Sequence, residues 1–252
     1  TWTAYRYGNI VISGIELSEN NRATVYNSLV LGHEDFNIVM MHGQAGDYAC
    51  RSQAENISLN QLKNKNIDYL ALGHVHTFMQ DKLDNRGTWC YCGCLEGRGF
   101  DECGEKGFVL LDIDEQTHEV DYSFVPMAVR TLYTLEIDAS GVMTTQEAAN
   151  RIEQAIAQKA YPSGSLVKFV LTGEVDVDAE INCEYLQDLF SDYFYFEKVY
   201  DHTHLKIDYN EYENDASLKG EFIRMVLQSD LSEEQKTEVI RCGILALSGE
   251  EI

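Results

Sequence analysis

Apolar and polar positions along the first half of the chain fall into short strand-like runs. Tyr5–Tyr7 and Ile10–Ile15 read as strands separated by a Gly8-Asn9 turn. Residues 22–30 read as a short helix. Phe36–Met41 is an apolar run that reads as a buried strand, and residues 43–57 are a polar stretch with no periodicity. Ser58–Lys65 reads as a helix with Ser58 as its N-cap. Ile67–Leu72 repeats the buried-strand pattern and completes a β-α-β passage. Asp84-Asn85-Arg86-Gly87 suits a hairpin turn, followed by strands near 88–93, 107–113 and 119–125.

The pattern changes after Pro126. A strand at 131–137 leads to Thr144-Thr145-Gln146-Glu147, a capping box, after which Ala148, Ile152, Ala155 and Ile156 recur at helical spacing until Pro162 and Gly164. Strands are expected at 166–171, 193–200 and 205–209, and helices at 184–190 and 217–228. A last helix follows the capping box Ser232-Glu233-Glu234-Gln235, with Val239, Ile240, Ile244 and Leu247 on one face and Gly249 as its stop. The expected organisation is one domain over residues 1–130 and a second over 131–252.

Composition narrows the class. The 44% hydrophobic content and two prolines of this 252-residue chain argue for a folded core. No apolar run approaches the ~20 residues a membrane helix needs, so no membrane partner is expected. Seven cysteines without framework spacing suit a reducing, cytoplasmic setting. The net charge of −23 runs against a dedicated nucleic-acid clamp, because phosphate binding draws on Lys and Arg.

The chemistry concentrates in three histidines. His42 follows the 36–41 strand and precedes Gly43; His74 and His76, in Gly73-His74-Val75-His76, follow the 67–72 strand. Three imidazoles thus fall just past the C-terminal ends of two core strands, the edge where α/β sheets gather ligands. Imidazole is the commonest metal-ligating side chain.

Met41-His42-Gly43 followed by Gly73-His74-Val75-His76 resembles the last two metal motifs of calcineurin-like metallophosphoesterases. Ile67–His76, Arg98–Gly107 and Leu218–Arg224 are similar to segments of the SbcD-type DNA repair exonuclease branch. The resemblance implies an α/β fold: the later part of a layered α/β/β/α sandwich, followed by a small α+β cap domain. It implies two divalent metal ions, Mn²⁺ by family habit, although a mixed N/O ligand set also suits Fe or Zn. His42 and His74 would hold one ion and His76 the other. The ions would activate a water and stabilise the departing oxygen of a DNA phosphodiester. A homodimer and an SbcC-like ATPase are implied partners.

The family's Asp-x-His, Gly-Asp-x-x-Asp and Gly-Asn-His-Asp/Glu motifs do not occur in this sequence. They carry the remaining ligands and the histidine that protonates the leaving group, so no catalytic residue of that kind is assigned. The expectation is that the chain is the C-terminal part of a longer enzyme and is inactive by itself. A phosphoesterase acting on small nucleotides or phosphoproteins, and a non-catalytic folded remnant, are the alternatives.

Arg51, Lys63, Lys65, Arg86 and Arg98 are the candidates for DNA contact near the site. His202 and His204 share the spacing of His74 and His76, but alternate with apolar residues and read as the wet face of a strand. Cys90, Cys92 and Cys94 alternate and read as small residues on the inner face of a sheet. Asp101, Glu102 and Glu105 read as turn residues. The aromatic run Tyr193–Tyr200 reads as sheet core, with base stacking as the alternative.

Overall fold

A computed structural model describes residues 1–45, 56–176, 178–206 and 215–248. Arg51 lies outside these residues, as do Gly249 and part of the expected 205–209 strand. The chain divides into two compact units, Thr1–Thr131 and Leu132–Ile252, and its elements are mixed α/β. Among the described residues no helix is long and apolar enough to cross a membrane.

The first unit is built on a six-stranded sheet. Its strands are β1 (Thr3–Tyr7), β2 (Ile10–Gly14), β3 (Phe36–His42), β6 (Tyr69–Gly73), β7 (Met79–Lys82) and β8 (Thr88–Tyr91), in the order β1-β2-β3-β6-β8-β7. The four central strands are mutually parallel, and the edge strands β1 and β7 run antiparallel to their neighbours. Two short strands, β4 (Gln44–Ala45) and β5 (Asn56–Ile57), pair outside this sheet.

Strand alternation sends side chains to opposite faces. Val39, Met41, Leu70, Leu72 and Tyr91 pack on one face with Val25, Leu29 and Leu62. Phe36, Tyr69 and Cys90 pack on the other, under the antiparallel ribbon of β9 (Gly107–Ile113) and β10 (Val120–Pro126), which contributes Val109, Leu111 and Val120. Glycine is required at Gly107, the start of that ribbon, because a β-carbon there would collide with the Val125 carbonyl.

Two expected helices differ. Residues 22–28 of the expected 22–30 helix form hydrogen-bonded turns, such as Ser28 N to Thr24 O at 2.9 Å, rather than a regular helix. The helix after Ser58 spans only Leu59–Leu62 (α1), and the Ser58 side chain makes no cap bond. It stops early because Lys63 is extended and Asn64 and Asn66 take φ of 59° and 61°, a left-handed region that asparagine tolerates.

The second unit holds a parallel sheet of β11 (Leu132–Asp138), β12 (Leu166–Thr172) and β14 (Phe196–Asp201), with α2 (Thr145–Lys159) and α3 (Cys183–Phe190). Leu135, Phe169, Leu171, Ile152, Leu186 and Phe190 belong to its core. Thr144 caps α2 by accepting from Glu147 N, and Asn182 caps α3 by accepting from Tyr185 N. β13 (Glu174–Asp176) and β15 (His204–Lys206) form a small parallel pair.

α4 (Leu218–Leu227) and α5 (Glu233–Ser248) pack through Ile223, Val226 and Ile240. The capping box before α5 is complete: Gln235 N donates to Ser232 Oγ and Ser232 N donates to the Gln235 side chain. Val239 and Leu247, expected on the buried face, are exposed, and Ile240 with Ile244 make the contact instead. The aromatic run also divides. Phe194 enters the core, whereas Tyr193, Tyr195 and Phe196 are exposed.

Candidate metal centre

β3 and β6 are paired in parallel register, with His42 opposite Gly73, so their C-terminal ends coincide. This brings the His42 and His74 rings to 5.5 Å between centroids, edge to face at 86°. The turns that carry them are tied to the sheet. Gly43 N donates to Gly73 O at 3.1 Å. The Tyr91 hydroxyl donates to Gly43 O at 2.6 Å and accepts from Ala45 N at 2.7 Å. His74 itself has φ of 109°, a conformation that L-residues rarely adopt and that is held here by its surroundings.

His76 faces a different set of groups. Its Nδ1 lies 2.6 Å from Glu102 Oε1, and Arg98 Nη2 lies 2.8 Å from the same nitrogen and 2.7 Å from that oxygen. Lys106, itself buried, donates Nζ to the His76 carbonyl at 2.8 Å, and the Cys94 thiol lies 3.6 Å from that carbonyl. Among the described residues, His76, Cys94 and Glu102 are the one group whose ligand atoms all lie within 4.8 Å of one another and that could hold a metal ion. The trio His42, His74 and His76 does not converge in that way. His42 and His74 form one pair, and His76 belongs to a second cluster.

Electrostatics differ across that cluster. The Arg98 side chain, with help from His76 and from the Arg98 backbone N–H, holds the Glu102 carboxyl far below the ordinary carboxylate range. Burial pushes the Cys94 thiol up, and Lys106 offsets only part of that shift. A thiol in that state is a weak ligand and a weak nucleophile.

The five basic candidates separate. Arg98 stands beside His76. Arg86 is committed to an internal ion pair. Its Nε and Nη2 bind the Asp68 carboxylate at 2.8 and 2.9 Å, and the guanidinium also donates to the carbonyls of His33 and Asp35. Asp68 and Arg86 precede β6 and β8, and Lys63 and Lys65 also lead into β6, so all three basic residues sit at the N-terminal edge of the sheet. β6 is five residues long, so at about 3.3 Å per residue that edge lies roughly 17 Å from the histidines. Lys63 lines an open cleft of about 480 Å³ with Arg22, Lys82 and Trp89.

Other candidates resolve as follows. Cys90 is buried beneath the β9/β10 ribbon, but β8 ends at Tyr91, so Cys92 is exposed and Cys94 turns toward His76. The three cysteines therefore do not share a face. His202 and His204 are exposed. Asp101 and Glu105 are exposed, whereas Glu102, read from sequence as a turn residue, is 9% exposed and central to the cluster. The Arg98-to-Glu102 spacing of opposite charges was the available clue, but outside a helix that spacing carries no geometric weight.

No protein-family model matches the chain.

Proposed function

We propose that this chain contributes the histidine part of a two-ion centre that hydrolyses phosphodiesters, with DNA as the substrate class, in the manner of SbcD-type exonucleases. The observation that carries the reading is the His42–His74 pair, two imidazoles facing each other across the coincident ends of two parallel strands. Imidazole nitrogens suit Fe or Zn, and Mn²⁺ is the ion that the resemblance implies once carboxylates complete the set. The carboxylates that would bridge and neutralise such ions do not join these two rings among the described residues, so the fit is to part of a centre. When bound, the ions would supply Lewis-acid activation of water and charge stabilisation at the leaving oxygen. The chain's own share is to present His42 and His74 to one ion and His76 to the other, and to place Arg98 where a phosphate oxygen could meet its exposed guanidinium. In this reading the six-stranded sheet and the β9/β10 ribbon belong to a layered α/β/β/α sandwich, and residues 132–252 act as its cap.

The test compares hydrolysis of linear duplex DNA and of bis-p-nitrophenyl phosphate, with added Mn²⁺, by this chain and by a protein that carries it together with Asp-x-His, Gly-Asp-x-x-Asp and Gly-Asn-His motifs. The expected result is DNA hydrolysis by the second alone, lost in His42→Ala and in His76→Ala. Near-normal rates in either variant would remove the ligand assignment. One observation favours a second reading, a phosphoesterase for small nucleotides: Lys63, Lys65 and Arg86 lie at the opposite edge of the sheet in a chain of net charge −23. Turnover of the small ester without the duplex would select it.

A further inference from the structure

Glu102 has no part in the ligand set above, yet its carboxylate is saturated by named partners. Oε1 meets His76 Nδ1 at 2.6 Å and Arg98 Nη2 at 2.7 Å. Oε2 accepts from the Arg98 backbone N–H at 3.0 Å, and Arg98 Nε reaches both oxygens at 3.2 and 3.4 Å. An ionised carboxylate only accepts hydrogen bonds. A contact of 2.6 Å to His76 Nδ1 therefore requires the proton to sit on Nδ1, since two lone pairs facing each other at that distance would repel. Arg98 Nη2, at 2.8 Å from Nδ1, then directs its hydrogen to Oε1 rather than to the ring.

The same contacts argue against an ion inside the His76–Cys94–Glu102 group. A cation there would have to displace the Arg98 guanidinium and draw a proton from the half-buried Cys94 thiol. What remains on the ring is Nε2, whose recorded neighbour is the same Arg98 Nη2, at the longer distance of 3.4 Å. A carboxylate that holds one imidazole nitrogen fixes the tautomer and the ring direction, and raises the basicity of the other nitrogen.

We propose that Glu102 is a positioning residue that locks His76 in the Nδ1–H tautomer and leaves the lone pair on Nε2 to bind a metal, an inference that rests on the reading of His76 as a ligand. Arg98 and Lys106 complete the brace, the first by holding the carboxylate and the second by holding the His76 carbonyl.

The test is a two-bond ¹H–¹⁵N correlation spectrum of the ¹⁵N-labelled chain at pH 8, without metal, followed by Mn²⁺ titration. The wild-type His76 ring is expected to show a protonated Nδ1 and a lone pair on Nε2. In Glu102→Met, which keeps the volume and removes the acceptor, the tautomer ratio should move toward the Nε2–H form that free imidazole prefers, by about threefold or more. Glu102→Gln, which keeps a carbonyl acceptor, should recover part of the shift. Arg98→Met should keep the Nδ1–H form. Mn²⁺ affinity should fall about 10–100-fold in Glu102→Met.

An Nε2–H wild-type ring, or a ratio unchanged in both Glu102 variants, would overturn the proposal. Should neither variant fold, the wild-type and Arg98→Met spectra decide it. The expected tautomers with no Mn²⁺ binding would uphold the positioning role and sink the phosphodiesterase reading instead.

Discussion

The His42 imidazole lies over Gly73, with its Nδ1 2.8 Å from the point a β-carbon on residue 73 would occupy. Gly73 is not among the positive-φ glycines, so an alanine fits the backbone of β6. The clash falls on an exposed side chain that can rotate aside. Gly73→Ala should therefore change stability by less than about 1 kcal/mol while displacing a ligand. Fluorescence melting reports the fold of the first unit cleanly, because both tryptophans, Trp2 and Trp89, lie in it. The expected outcome is a near-native melt with weakened Mn²⁺ binding. Unchanged affinity would show that the His42 ring position is irrelevant to the metal.

His74 offers a separate test, because its φ of 109° burdens the native state. Glycine takes such a conformation without the β-carbon penalty, whereas alanine keeps it. His74→Gly should be more stable than His74→Ala by about 1 kcal/mol, and both should lose the same metal affinity. Equal melting points for the two would mean that the backbone relaxes once the imidazole is removed.

The histidine pair was legible in the sequence, and the second cluster was not, for a physical reason. His42 and His74 follow apolar runs whose parallel pairing makes their ends coincide, so strand pattern alone brings them together. The Glu102, Cys94 and Lys106 contacts to His76 depend on the path of the loop after β8 and on Gly107 opening the ribbon, and neither follows from hydrophobic periodicity. Arg86 shows the converse. Its charge suggested a ligand-binding surface, but a guanidinium saturated by Asp68 and two carbonyls is a structural tie. The short α1 has a local reason: periodicity says which face is buried and not where asparagines such as Asn64 will break the helix.

Arg86→Met should destabilise the first unit by about 1–3 kcal/mol, because it removes the charge partner of the half-buried Asp68 carboxylate, which keeps only the Asn37 N–H, and the donors to the His33 and Asp35 carbonyls. The far edge of the sheet would be disturbed while the histidine edge is spared. Tryptophan-monitored denaturation should move to lower denaturant with an unchanged slope, and Mn²⁺ affinity measured well below the transition should stay native. A native melt would contradict the assignment of Arg86 as a tie.

Glu197 supplies the pH dependence. It sits on β14 at 9% exposure, opposite Val167 in register, and its Oε2 has no hydrogen-bond partner. Burial raises its pKa above the ordinary value, and the nearby Asp192 adds to the shift. The unfolded chain releases this proton near pH ~4.3. Between that value and the higher native one, the folded state binds more protons than the unfolded state. Stability of the second unit therefore falls as pH rises through that window and stays lower above it. Glu197→Gln removes the charge but keeps the shape. It should abolish this contribution and stabilise the unit at pH 7 by an amount on the order of 1 kcal/mol. Amide hydrogen exchange of β12 and β14 reads the second unit alone. Protection in the variant should rise at pH 7 relative to wild type and match it near pH 4. Lower protection at pH 7 would mean that the carboxylate is better solvated or better paired than its burial implies.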